Sequence, residues 1–473
     1  MLTIPFSLSA QTVTGSVGGT VTDATGAVVP NAQVTVHNTA TGVDSQATAN
    51  SAGVYNIQFL PIGRYEVTVS APGFTTARLP PFALEVNQIV KFDAHLQTGG
   101  TTTTVDVKGD VAPILNASDP TLSGTFTANA IQNLPLNGLD FSALTLYIPG
   151  SVSTVGTSGT TSIERSTFYT DSVNLNGNRA QANNYTLDGI DLNETFNNLI
   201  AYSPAPESLQ EVKVLTANSP ADYGNVNGGG VVSVLKSGTN QFHGSAYGYV
   251  QDYKLNANSW NNNHANPIIP VNPYSQAQFG GTFGGPIKRD KLFFFVDYLG
   301  SRFHTGGTTT GSVLTQAMRQ GDFSALLTAQ NPIQLYDPQN GFAPFVGNKG
   351  IPVVNPVAQF LFAHPNLYPL PNAAPTDGIA QNNFQGPSRT FKANNQGDIK
   401  IEYDPRASDK ITGFYSMGTG YDGTVALLPI TFPGVNLFPT KVTGVNWVHI
   451  FSPTIVNSAR IGFTRVHWNQ GLP

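Results

Sequence analysis

Asp188, Asp191 and Glu194 stand at three-residue intervals in "LDGIDLNE", with Arg179 shortly before them in "NGNRAQANNY". Carboxylates so spaced could hold a cation or divide a general acid from a general base. No calcium-loop pattern surrounds them, and Asp188-Gly189 between two β-prone runs fits a tight two-residue turn instead. Arg179 could pair with one of the three, or stand solvated. Nothing else supports catalysis. None of the eight histidines has Glu three residues on, and His-Glu-x-x-His, Gly-x-Ser-x-Gly and a Walker loop are absent. The expectation is a non-enzyme without cofactor or metal.

The elements that would position these residues belong to turn-rich β structure. Charged residues make up 11% of the 473, while Gly (48), Pro (33) and aromatics (10%) are plentiful; ordinary soluble domains carry about 25% charge. The net charge of -5 and the lack of any Lys/Arg run leave no phosphate-neutralising surface, so nucleic acid is excluded as a partner. Cysteine is absent, which rules out disulfides. No stretch of 18 apolar residues exists, so any membrane span must be β. The opening "MLTIPFSLSAQT" reads as the remnant of a secretion signal over 1–13.

From 14 to 97, alternating runs separated by Asp, Gly and Pro turns predict a small β-sandwich. "GTVTDATGAVVPNAQVTV", "GVYNIQFLPIGRYEVTVSAPGF" and "VKFDAHL" resemble the carboxypeptidase-regulatory-like family of transthyretin-type sandwiches, which implies no chemistry of its own. A Gly/Thr-rich linker follows over 98–120. Mixed α and β is expected over 121–240, with Thr127 placed as an N-cap before "ANAIQNL".

After Asn240 seven strands are expected: Gly244–Tyr253, Ser275–Gly285, Lys291–Phe303, Gln396–Tyr403, Lys410–Met417, Lys441–Phe451 and Ile455–Trp468. "PIKRD", "DPRAS" and "SPT" are short turns, and the connections between them are long and polar. Short turns at one end and long loops at the other are the habit of an outer-membrane barrel. In "KLFFFVDYL", Phe293 and Phe295 share a face with Asp297, so part of that face must meet a lumen or an interface. "GNVNGGGVVSVLKSGTNQFHGSAYGY" then reads as the junction between a globular domain and the first barrel strand, with glycines at close backbone approaches.

"NGNRAQANNYTLDGIDLNE", "SPADYGNVNGGGVVSVLKSGTNQFHGSAYGY" and "FGGTFGGPIKRDKLFFFVDYLGSR" together resemble the TonB-dependent outer-membrane transporters of the Oar-like group. Leu139 stands where that family's plug motif carries Arg, and Leu299 where an acidic residue is common. The resemblance implies a mainly β chain: an N-terminal transthyretin-like sandwich, an α+β plug over 121–240, and the first strands of an incomplete antiparallel transmembrane barrel over 241–473. It also implies a place in the outer membrane of a Gram-negative cell, contact with outer-membrane lipid, and energised transport of an unidentified ligand with TonB and its inner-membrane complex as partner. Thr103, Thr104, Val105, Asp106, Val107 and Lys108 become the TonB-box candidate, an extended segment that would pair with a TonB strand. Arg179, Asp188, Asp191 and Glu194 become candidates for coupling ligand occupancy to release of that box. At roughly 33 residues per strand, a plugged 22-strand barrel predicts a full protein about twice as long. A secreted or surface-attached adhesin or glycan-binding protein is the alternative.

Overall fold

The computed structural model describes residues 13–99, 104–106, 122–153, 173–195, 198–217, 224, 227–264, 267–328, 331–431, 434–452 and 455–471. The expected signal remnant, apart from Val13, lies outside them, as do Thr103, Val107, Lys108 and most of the 98–120 linker.

The first eight strands are β1 (Gly15–Asp23), β2 (Gln33–Asn38), β3 (Asp44–Thr48), β4 (Val54–Leu60), β5 (Gly63–Ser70), β6 (Thr76–Leu84), β7 (Ile89–Lys91) and β8 (Ala94–Leu96). One sheet runs β4-β1-β7 with β8 also on β1; the other runs β3-β2-β5-β6 and is extended by β9 (Thr104–Asp106). Alternation sets the inner faces. Tyr65, Val67 and Val69 of β5 and Val34 and Val36 of β2 are buried, and meet Val17, Val21, Ile57 and Leu79 in one core. Each such side chain contributes about 1.5–3 kcal/mol on full burial, which lets the sandwich hold together without disulfides.

The next unit comprises β10 (Leu122–Thr127), α1 (Ala128–Asn133), β11 (Ser151–Ser153), β12 (Val173–Leu175), β13 (Asn184–Leu187), β14 (Ile190–Asp191), β15 (Leu209–Ala217) and β16 (Gly230–Leu235). Its main sheet has the order β10-β15-β16-β13-β14, with β13 parallel to β16. Thr127 does occupy the N-cap position of α1, but its side chain makes no capping hydrogen bond. Every residue of β16 is buried, as a strand covered on both faces must be. Val231 and Leu235 face a core with Leu144, Leu187 and Leu209, whereas Val232 and Val234 pack on Val86 of the sandwich.

The remaining strands are β17 (His243–Asp252), β18 (Tyr274–Lys288), β19 (Leu292–Thr305), β20 (Thr308–Gly311), β21 (Tyr336–Asp337), β22 (Ala343–Pro344), β23 (Phe384–Pro387), β24 (Thr390–Arg406), β25 (Asp409–Thr424), β26 (Val435–Ser452), β27 (Ile455–Val466) and β28 (Asn469–Gly471). The seven strands expected from the sequence are β17, β18, β19, β24, β25, β26 and β27, and they form one antiparallel sheet in that order. Several are longer than the ~9–11 residues needed to cross hydrocarbon; β26 has 18. Among the described residues β17 and β27 do not pair, so the sheet is open.

The two faces of this sheet differ in chemistry. On β24, Lys392, Asn394, Gln396, Asp398 and Lys400 are all buried, while Ile399, Ile401 and Tyr403 are exposed. Cross-strand register carries the pattern onward: Phe295 opposes Lys400, Asp297 opposes Asp398, and Ser416 opposes Asp398 from the other side. Phe293, Phe295 and Asp297 are therefore inward residues. The outward face ends in an aromatic cluster of Phe242, Phe283 and Phe294, with Phe242 and Phe283 stacked at 5.8 Å, as in the girdles of outer-membrane barrels.

The long connection between β19 and β24 is a folded knob. Asn348 at its centre is fully buried in a left-handed backbone conformation, its amide donating to the carbonyl of Ile333 at 2.7 Å and its side-chain oxygen accepting from Leu335 N at 2.9 Å. Val346 beside it is 91% exposed, and Ala407 in the short β24-β25 turn is exposed at the other end. The outer-membrane resemblance predicts that, in cells carrying the whole protein, an impermeant maleimide labels Val346→Cys on intact cells and Ala407→Cys only after the outer membrane is permeabilised. Equal labelling on intact cells would contradict the membrane topology.

Candidate functional site

The carboxylates of "LDGIDLNE" go separate ways in the fold. Asp188 and Gly189 form the two-residue turn between β13 and β14, both with positive φ (47° and 79°), as a type I′ hairpin requires. A Cβ at 189 would also crowd the guanidinium of Arg460 on β27, which would have to swing aside. Asp191 is exposed and caps its own turn by accepting from Asn193 N at 2.8 Å. Glu194 is buried and closes a local loop by accepting from Leu199 N at 3.1 Å. Arg179 is exposed after β12. Asp188 engages the wall strands through its side chain.

The partner of Asp188 is Lys400 on β24. Its ammonium lies 3.0 Å from Asp188 Oδ2 and 3.8 Å from Glu402 Oε1, and donates to the carbonyl of Leu235 at 3.1 Å. Both members of the Lys400–Asp188 pair are at least nine-tenths buried. Asp188 Oδ1 also accepts from Leu235 N at 3.2 Å, so the pair ties the hairpin, the end of β16 and the wall together. Next to it Ile190 enters a notch formed by Gly444 on β26 and Gly462 on β27, which are register partners. A Cβ on Gly444 would stand 2.6 Å from Ile190 Cγ1. The two glycines are the space the isoleucine fills. Arg460 donates to Gly189 O at 3.3 Å and Thr464 Oγ1 to Asp191 O at 2.6 Å.

A second anchor lies higher on the same strand. Tyr202 donates its hydroxyl to Asp398 Oδ1 at 2.8 Å, and Gln396 Nε2 donates to Ser203 O at 3.1 Å. Ser203 in turn donates to Asp140 Oδ1 at 2.9 Å, and Asp140 accepts from Ser142 N. Asp140 follows Leu139, so the acidic residue of the "LPLNGLDF" stretch is satisfied by hydroxyl and amide donors. Gly418, Gly420 and Gly423 match the spacing of a dinucleotide-binding loop, yet they lie inside the continuous strand β25, where no helix N-terminus receives a phosphate. In the glycine run at 228–230, a Cβ on Gly229 would meet Leu175 and the Leu215 backbone, and one on Gly228 would meet Ala182 and Asn183.

The β13-β14 hairpin is thus seated by buried contacts on the inward face of the open sheet. Three family descriptions match the chain in the same order: a carboxypeptidase regulatory-like domain over 16–97, a TonB-dependent receptor plug domain over 125–231, and an outer membrane beta barrel domain over 234–473, half of the chain. The chain belongs to the TonB-dependent receptors of the outer membrane. The TonB-dependent transporter Oar of Myxococcus xanthus is 25% identical over 292 residues, covering 59% of this chain and 26% of that protein. The chain thus spans about a quarter of that relative's length. Among solved structures, the outer membrane transporter YddB from Escherichia coli aligns over 73% of this chain and 39% of its own, at 10% identity and a TM-score of 0.47. The siderophore receptor PirA from Acinetobacter baumannii aligns over 74% and 45%, at 12% identity and a TM-score of 0.35.

In this receptor the sandwich is docked on both plug and barrel. Val86 N donates to Glu211 Oε1 at 2.8 Å, and Lys213 donates to Val86 O at 2.9 Å. The loop after β2 reaches the wall: Asn240 donates to Ala40 O, its amide donates to Thr41 O and Asp290, and Lys410 donates to Ser45 Oγ at 2.9 Å. Burial pushes Glu211 up from the ordinary value near 4.5 to about 7, against the pull of the Val86 amide; Glu85 adds to the rise and Lys213 opposes it. A raised folded pKa means that the joint is at full strength below pH 4.5 and weakens as pH rises through 7. Energy transfer between dyes on sandwich and plug of the full-length receptor should therefore fall between pH 5 and pH 8, and Glu211→Gln should flatten that profile. A pH-dependent Glu211→Gln variant would assign the effect elsewhere.

Sequence reasoning missed Lys400, Tyr202, Gly444 and Gly462. The alternation of "NNQGDIKIEYD" puts Lys400 on the polar face, but nothing in it names Asp188 as the partner.

Proposed function

We propose that the chain is the N-terminal part of a receptor for TonB-dependent active transport of a ligand across the outer membrane. The observation that supports this most is the seat of the β13-β14 hairpin: a buried ion pair and an isoleucine in a glycine notch hold the plug to the wall by a few discrete contacts that a pull can break together. In this reading Asp188 is the coupling carboxylate. Loss of Lys400 from its side frees the hairpin, and TonB, engaging the segment around Thr104–Asp106, draws the plug from the wall. Asp191 and Glu194 shape the hairpin's return, and Arg179 remains at the surface. The ligand is tested for directly. Cells with and without a functional TonB, each carrying the full-length receptor, are grown in a complex medium whose solutes are followed by mass spectrometry. Selective depletion of a solute only when receptor and TonB are both present is expected. Depletion independent of TonB would reject active transport, and a receptor that alters cell adhesion but no solute would favour the adhesin.

A further inference from the structure

Thr104–Asp106 forms a strand on the sandwich. It runs parallel to β6, with Thr104 opposite Thr76, Val105 opposite Ala77 and Asp106 opposite Arg78. Among the described residues β6 is otherwise the edge strand of its sheet, since β5 covers only its other side. Beyond Arg78 the edge of β6 changes character. Pro80 and Pro81 have no amide hydrogen, so the edge offers a complete ladder only before them. An open edge of this kind is a template for any extended segment that can reach it. The segment that reaches it here is the one proposed to pair with TonB.

We propose that the β6 edge, at Thr76–Arg78, is an internal receptor for the TonB box, holding Thr104–Asp106 by the same main-chain pairing that TonB would use. The inference rests on the reading of this segment as the box. Two features make the contact a brake. A strand held in one ladder cannot give those same amides and carbonyls to a second strand on that side. The sandwich that holds it is itself fastened to the plug through Val86 and to the barrel through Ser45 and Thr41. A pull on the docked box therefore loads the sandwich first. TonB binds in competition with β6, and the plug feels force only after the ladder at Thr104–Asp106 has opened.

The chain contains no cysteine, so a Thr76→Cys/Thr104→Cys pair can be introduced without background once any cysteines elsewhere in the full-length receptor have been replaced. Binding of the soluble periplasmic domain of TonB to the full-length receptor in detergent is then measured oxidised and reduced. Oxidation should form the cross-link and weaken TonB binding at least tenfold, with full recovery on reduction. Failure to cross-link under mild oxidant would overturn the β6 contact. Unchanged TonB binding in the cross-linked form would overturn the competition. Val105→Pro separates that result from an error in the box itself. If the proline variant loses TonB binding while the cross-linked form keeps it, the box stands and the brake falls; if both keep it, the box lies elsewhere.

Discussion

Asp188→Ala should unseat the plug hairpin in the full-length receptor. The substitution leaves the Lys400 ammonium buried without its nearest countercharge, and breaking a buried pair from one side costs about 3–5 kcal/mol. Glu402 at 3.8 Å recovers a part of this and no more. Cells carrying the variant should become sensitive to a large antibiotic that the intact outer membrane excludes, because the stopper no longer closes the wall. Asp188→Asn combined with Lys400→Met should restore most of the barrier, since asparagine tolerates the positive φ, keeps an acceptor for Leu235 N, and faces no stranded charge. Equal antibiotic resistance in the single variant and the unaltered receptor would show that the pair does not hold the plug.

Val105→Pro should reduce uptake of the depleted solute to the level of cells lacking TonB, while leaving binding of that solute at the cell surface unchanged. Proline removes one amide donor and fixes φ in a segment proposed to meet TonB through its main chain. Val105→Thr keeps the donor and the β propensity, and should behave as the unaltered protein. Uptake that survives the proline would move the box to another stretch.

Much of this architecture was legible because β structure writes itself in local pattern. The seven wall strands follow from alternation and from the contrast of short turns with long loops, and the Asp188-Gly189 turn follows from residue type. The inward face of "KLFFFVDYL" was legible as a pairing of Phe293 and Phe295 with Asp297, but its neighbour was not: that face meets the plug, which lies elsewhere in the sequence. The same holds for Lys400, which faces Asp188 only because two separately folded units meet, and for Tyr202 and Asp398, 196 residues apart. Asn348 misleads in the opposite direction. A polar residue between glycines in a long loop reads as exposed, yet its amide organises the knob from within. The strands also run longer than the membrane requires, because the ladders continue into the loops beyond hydrocarbon. The pairing of Thr104–Asp106 with β6 was invisible because the same extended character suits either an internal or an external partner.

The plug rests on the wall at Ile190, and the transport proposed above requires it to leave. Ile190 Cγ1 lies 3.0 Å from where a Cβ on Gly462 would stand, close to the span from sulfur to the far β-carbon in a disulfide. In the full-length receptor, Ile190→Cys with Gly462→Cys should cross-link in the native outer membrane of cells whose TonB is not energised, abolish uptake of the depleted solute while oxidised, and regain it on reduction. No cross-link in resting cells, or equal uptake in the oxidised and reduced forms, would contradict it.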